Sequence, residues 1–180
     1  TSVQGIMGSY YATAAGETDQ VAQAIADHYR PRFAGDDLPE SIVGRIVATA
    51  DKLDTICGLF AVGQGPTGSS DPFALRRSAI GIIAMLEAGL NVSLVDAVNA
   101  SLDTYQASGV EFDRQAIYDQ IIEFFVTRTK VILRDSGVSP DSVEAVLATG
   151  IVEPAVIIAR ARALEAARAQ SAEVFDDLAT

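Results

Sequence analysis

The sequence predicts an all-α fold of seven to nine helices, and three observations carry that reading. Apolar residues recur three and four positions apart through most of the 180 residues, the spacing that lines one face of a helix. No stretch alternates apolar and polar residues between turn dipeptides, as a half-buried strand would. Glycine, proline and N-cap residues punctuate the chain at intervals of ordinary helix length.

The first helix spans residues 2–14, with Val3, Ile6, Met7, Tyr10 and Tyr11 at helical spacing. Gly5 and Gly8 lie one turn apart and permit close helix contact, and Gly16 ends the helix because glycine tolerates the left-handed conformation there. Glu17 and Asp19 suit the start of a second helix carrying Val21, Ala22, Ile25 and Tyr29. It stops before Pro31, since proline disfavours the helical region for its predecessor. The loop RPRFAGDDLPE follows, with Phe33 expected to anchor it in the core and Pro39 expected in an early turn of the next helix.

Residues 42–77, IVGRIVATADKLDTICGLFAVGQGPTGSSDPFALRR, organise the rest. Ile42, Ile46, Ala50, Leu53, Cys57 and Phe60 are expected to share the buried face of a long helix. Asp71, with Pro72 after it, is expected to cap a following helix that runs through Phe73, Ile80, Ile83 and Leu86 to Gly89. Ser93 and Asp96 have capping-box spacing and open a helix with Leu94, Val98 and Leu102 that ends near Gly109. Asp113 caps a long helix from 114 to about 135, which Gly137 ends; Ser139 and Pro140 start a short one, Gly150 breaks it, and helix resumes near Glu153. A rise in alanine and fall in glycine after about residue 110 divides the chain into a helical domain at 1–110 and a helical extension at 111–180.

Composition excludes several classes of function. A formal charge of −11 disfavours nucleic-acid binding by this chain alone, so any such contact must be local. One cysteine, Cys57, cannot form an internal disulfide, and a reducing compartment follows naturally. No apolar run reaches the ~18 residues of a membrane span. The chain lacks a basic-then-apolar leader and starts without Met in helical pattern, so it reads as an excised piece of a longer protein.

Candidate chemistry is sparse. Asp51 and Asp54 are three apart on a helix and face one general direction. With one histidine in the chain, His28, they do not complete a His/Asp metal centre, and bonding to arginines or backbone is the simpler role. His28, at a helix C-terminus, suits capping or packing. The loop 63-GQGPTGSSDP-72 lacks the GK[ST] ending of a phosphate-binding Walker A motif. Its N–H-rich backbone still leads into a helix start with Arg76 and Arg77, which can receive a phosphate, helped by Thr67, Ser69 and Ser70. Arg30 and Arg32 form a second basic pair.

Three segments resemble one family closely. VQGIMGSYYA (3–12), ADHYRPRFAGDDLP (26–39) and ADKLDTICGLFAVGQGPTGSSDPFALRRSAIGI (50–82) are similar, in order, to the β subunit of bacterial heterotetrameric glycyl-tRNA synthetase. The resemblance implies an internal fragment of a cytoplasmic ligase. ATP, magnesium and the catalytic core would lie on the α subunit. This chain would support tRNA(Gly) binding and pack against the α subunit and other β domains. It implies an HD-like helical domain in which Asp51 matches the last aspartate of the metal site. No paired His-Asp signature accompanies Asp51, so the metal site is expected to be degenerate, with no cofactor and no catalytic residue here. The tRNA-contact candidates are Arg76, Arg77, Thr67, Ser69, Arg30 and Arg32. The alternatives are an HD-type metal-dependent phosphohydrolase acting on a nucleotide, and a pure assembly module.

Overall fold

Eight helices and no β-ladder occupy the described residues of this computed structural model, 3–33 and 35–170. They are α1 (Ile6–Ala14), α2 (Asp19–Asp27), α3 (Ile42–Ala61), α4 (Leu75–Glu87), α5 (Leu94–Ala107), α6 (Arg114–Asp135), α7 (Pro140–Leu147) and α8 (Pro154–Gln170). The chain divides into two compact units, Thr1–Ile121 and Ile122–Thr180.

In the first unit α3 is the hub, packed by α2, α4 and α5, while α1 packs on α2. Ala48, Ile56 and Cys57 of α3, Ala79, Ile82, Ile83 and Met85 of α4, and Val98 and Leu102 of α5 are fully buried. Burying each larger aliphatic side chain contributes about 1.5–3 kcal/mol, which far exceeds what helix propensity supplies. Helix ends follow local chemistry. Ser41, Ser93 and Ser139 accept from Gly44, Asp96 and Ser142 backbone N–H groups, and Asp113 accepts from Ala116. Gly16, Gly89, Gly109, Gly137 and Gly150 all take positive φ just past helices.

Four expectations about packing and helix starts are corrected. The N-terminal half of α3 leaves Ile42 and Ile46 about half exposed, at 54% and 49%, and Ala50 is exposed as well. Gly44 and Ala48 are buried instead. A Cβ on Gly44 would lie 3.0 Å from Pro39 Cβ and from Ser41 Oγ, so small size, rather than apolarity, selects the inward face there. Phe33 is 56% exposed and does not anchor its loop; among the described residues of that segment Pro31 and Pro39 are the buried ones. Pro39 precedes the N-cap Ser41 rather than entering the helix. The helix after the glycine loop begins at Leu75, not at Pro72, and Phe73 lies outside it, 50% exposed.

The second unit holds the later turns of α6 with α7 and α8. Phe125, Leu133, Ile157 and Ile158 are its fully buried large side chains. Ser139 Oγ, the N-cap of α7, also donates to Glu165 Oε2 at 2.6 Å, tying α7 to α8. That hydroxyl, with Ser142, lowers the Glu165 carboxyl below its ordinary pKa.

Candidate functional site

The residues 28–32 turn, the middle of α3 and the start of α4 enclose a cleft of about 260 Å3. Its walls include Tyr29, Arg32, Asp51, Lys52, Arg77 and Ser78. A second hollow of about 220 Å3 shares Tyr29 and Arg32 with it and adds Arg30 and the buried Asp27. Four of the chain's thirteen cations, Arg30, Arg32, Lys52 and Arg77, thus converge on one side of a molecule whose net charge is −11.

Each wall is built by short-range chemistry. Lys52 is buried, and its Nζ donates to the carbonyl oxygens of His28 and Arg30, both at 2.9 Å. Burial pushes its pKa below the ordinary lysine value, and the neighbouring Asp51 charge opposes that shift. Gly81 of α4 makes room for this arrangement. A Cβ there would stand 2.9 Å from Pro31 Cγ and 3.5 Å from Lys52 Cε. Asp36 then fastens the loop, accepting from the Arg32 backbone N at 2.8 Å and from its guanidinium at 2.9 and 3.2 Å. Asp27 accepts from Gln23 at 2.7 Å and pairs with Arg30 at 3.6 Å. Arg77 Nη1 donates to the Arg32 carbonyl at 3.2 Å. Among the described residues no carboxylate lies within ion-pair distance of Arg77, whereas Arg30 and Arg32 each have one.

The candidates named from the sequence therefore separate. Arg32, Arg77 and Asp51 share the cleft, and Arg30 lies beside it. Thr67 and Ser69 belong to the glycine loop, and Arg76, in the first turn of α4, reaches back to it. Thr67 and Ser70 close a tight turn by mutual backbone hydrogen bonds at 3.1 and 2.8 Å, and the Arg76 guanidinium donates to the Gly68 carbonyl. The anion-binding end of α4 is already filled, because Asp71 accepts from Leu75 N at 2.8 Å and Arg76 N at 3.0 Å. Asp71 does this across Ala74, which holds the left-handed N-cap conformation at φ 55°.

Asp51 and Asp54 diverge. Asp51 faces the basic cleft, while Asp54 lines an apolar groove of about 380 Å3 between α3 and α5. Asp54 also accepts from the Tyr105 hydroxyl at 3.0 Å. Among the described residues no three His, Cys, Asp or Glu side chains converge as a metal-binding group. His28 is the C-cap of α2, and its Nδ1 lies 2.8 Å from the Ile25 carbonyl, so that nitrogen carries the proton. Its ring packs against Tyr29 at 4.1 Å. Lys52 and Tyr29 were missed as site residues in the sequence. Lys52 looks like one more polar residue of ADKLD, and only its long-range partners reveal its place.

No described helix is long and apolar enough to cross a membrane. The fold and cleft define, over the described residues, an all-helical module with a basic recess in a chain of acidic net charge. The chain belongs to the glycyl-tRNA synthetase β subunit family, whose sequence profile matches residues 1–148. It is 48% identical over 168 residues to the glycine–tRNA ligase β subunit of Methylobacillus flagellatus, covering 93% of this chain and 23% of the relative. The corresponding subunit of Desulforamulus reducens is 47% identical, covering 92% and 24%. That of Clostridioides difficile is 45% identical, covering 83% and 22%. The chain therefore spans about a quarter of the length of the curated relatives it matches.

Proposed function

We propose that this chain is a segment of a glycine–tRNA ligase β subunit and that it supports ATP-dependent glycylation of tRNA(Gly) by holding tRNA backbone, not by performing the chemistry. On this reading ATP and magnesium act on the α subunit, the assembly is cytoplasmic, and the segment is an HD-like domain with Asp51 as the remnant of a lost metal site. The supporting observation is the convergence of Arg30, Arg32, Lys52 and Arg77 on one recess of a chain with net charge −11. Phosphates bind where cations cluster, and the acidic remainder of the surface repels tRNA elsewhere. Arg77 is the strongest contact, because no described carboxylate competes for it. Arg32 follows, its guanidinium oriented by Asp36. Arg76 serves at the start of α4, with Thr67 and Ser69 on the loop before it.

The test is tRNA(Gly) binding by the assembled enzyme at several salt concentrations. Arg32→Ala with Arg77→Ala is expected to weaken binding by about tenfold per arginine, the worth of one charge-assisted hydrogen bond. It also lowers the salt slope by about one per contact. Unchanged affinity and slope would remove the cleft from the tRNA path.

A further inference from the structure

The first helix buries one of its faces and leaves the other uncovered. Gly5, Gly8 and Ala12 turn toward α2. A Cβ on Gly5 would meet the Ala26 carbonyl oxygen at 2.6 Å, one on Gly8 would meet Ile25 Cγ2 at 2.9 Å, and Ala12 is buried. The other side carries Val3, Ile6, Met7, Tyr10 and Tyr11, all exposed, with the two tyrosines at 63% and 70%. Five large apolar side chains within nine positions form a patch, not scattered exposure.

We infer that this face of α1 is the seat of another segment of the same β-subunit polypeptide, one lying outside these 180 residues. The inference rests on the β-subunit reading above. Three facts select that occupant. The patch itself carries no cation to hold a phosphate: the first Lys or Arg of the chain is Arg30, and of the five residues Ile6 alone lines the hollow that Arg30 and Arg32 share. The patch is small. A helix of nine residues and its lead-in present roughly half of the ~800 Å2 per partner that a stable free association buries. A tethered segment needs far less contact, because linkage supplies an effective concentration of about a millimolar. Relatives matched over nearly all of this chain are about four times its length, so the covering segment has a source on the same molecule. The tyrosines add a requirement on the occupant. Their rings ask for apolar contact and their hydroxyls for a hydrogen-bond partner at the rim.

Hydroxyl-radical footprinting of the full-length β subunit, free of α subunit and tRNA, tests this directly. Met7, Tyr10 and Tyr11 are expected to be modified at least tenfold more slowly in the native subunit than in the same subunit unfolded in urea. Protection should not depend on protein concentration. Tyr10→Glu with Tyr11→Glu should return Met7 to the unfolded rate, and Tyr10→Phe with Tyr11→Phe should leave it protected. Full reactivity in the isolated subunit overturns the proposal. So does protection that appears only with α subunit or with tRNA, or that rises with concentration as a second copy docks. A native polypeptide no longer than these 180 residues would remove the β-subunit reading beneath the proposal. A long polypeptide with a reactive α1 would remove the proposal alone.

Discussion

Lys52 Nζ lies 2.9 Å from the carbonyl oxygen of Arg30, and this bond sets one wall of the basic cleft. The same nitrogen reaches the His28 carbonyl, so one α3 side chain holds both ends of the turn that follows α2. Lys52→Met keeps the stem and removes the donor. Leaving partly buried carbonyls unpaired costs about 1–3 kcal/mol. Urea titration of the chain should show that loss in the midpoint, with the slope unchanged. tRNA binding by the assembled enzyme should weaken too, because Arg30 and Arg32 ride on this turn. A stability change without any change in tRNA affinity would mean that the turn does not position the cleft.

Asp71 caps α4 with both carboxylate oxygens, one on Leu75 N and one on Arg76 N. Asp71→Ala should cost about 1–2 kcal/mol, the upper part of the range for lost N-caps. The loss should appear locally as faster amide exchange at Leu75 and Arg76. Asp71→Asn retains an acceptor and should recover most of the stability. Equal exchange rates in Asp71→Ala and the parent would show that Ala74 and its turn hold the helix start unaided.

The sequence showed what is local and hid what is long-range. Helix class, Ser93, Asp113 and Ser139 as caps, and the stopping glycines were legible because each depends on residues within one turn. The inward face of the first half of α3 was not. Periodicity ranks residues by apolarity, and there Pro39 and Ser41 approach Gly44 so closely that a side chain does not fit, while Ala48 is buried one turn on. Asp71 was recognised as a cap but assigned to the wrong helix start, since its reach across a left-handed Ala74 has no sequence signal. Arg32, Arg77 and Asp51 of the cleft, and Arg30 beside it, are legible as candidates in the sequence. Their convergence was not legible, because Lys52 and Gly81 create it through contacts 20 to 50 residues apart in sequence.

Gly58 gives Tyr105 its place. A Cβ on Gly58 would come within 2.4 Å of the Tyr105 hydroxyl oxygen, which donates to Asp54. Burial first, and the Asp54 carboxylate second, push the Tyr105 phenol up to about 12. Gly58→Ala must expel the tyrosine tip, and overpacking of this kind costs about 1–3 kcal/mol. Tyr105→Ala in the same chain removes the obstacle. The double variant should therefore be more stable than the sum of the two single losses implies. Strict additivity would show that the ring is not what occupies the space above Gly58.

Cys57 is fully buried, and burial pushes its thiol up to about 11, with Asp54 adding to the rise. The thiolate is the reactive form, so the folded chain should resist a thiol reagent at pH 8. Labelling should appear only as urea unfolds the first unit, and its midpoint should match that of the helical signal. Rapid labelling of the native chain at pH 8 would contradict this burial.

Acid should loosen the 31–38 loop later than it titrates ordinary carboxylates. The Arg32 guanidinium first, then the Arg32 backbone N–H, holds the Asp36 carboxyl far below the usual carboxylate range, against a smaller opposing effect of burial. A folded-state pKa below the unfolded one stabilises the fold fully at pH values above the unfolded carboxylate pKa of ~4. That contribution declines as pH falls below ~4 and is gone only once the lowered folded pKa is passed. Asp36→Asn removes the charge and one acceptor oxygen. The variant should lose stability at pH 7, and its difference from the parent should shrink steadily as the pH is lowered from 5 to 2. High salt should reduce the difference at pH 7, since the Arg32 side chain is 60% exposed and its pairing is screened. A difference that stays constant from pH 7 to 2 would mean that Asp36 acts through packing, and that Arg32 is oriented by something other than its charge.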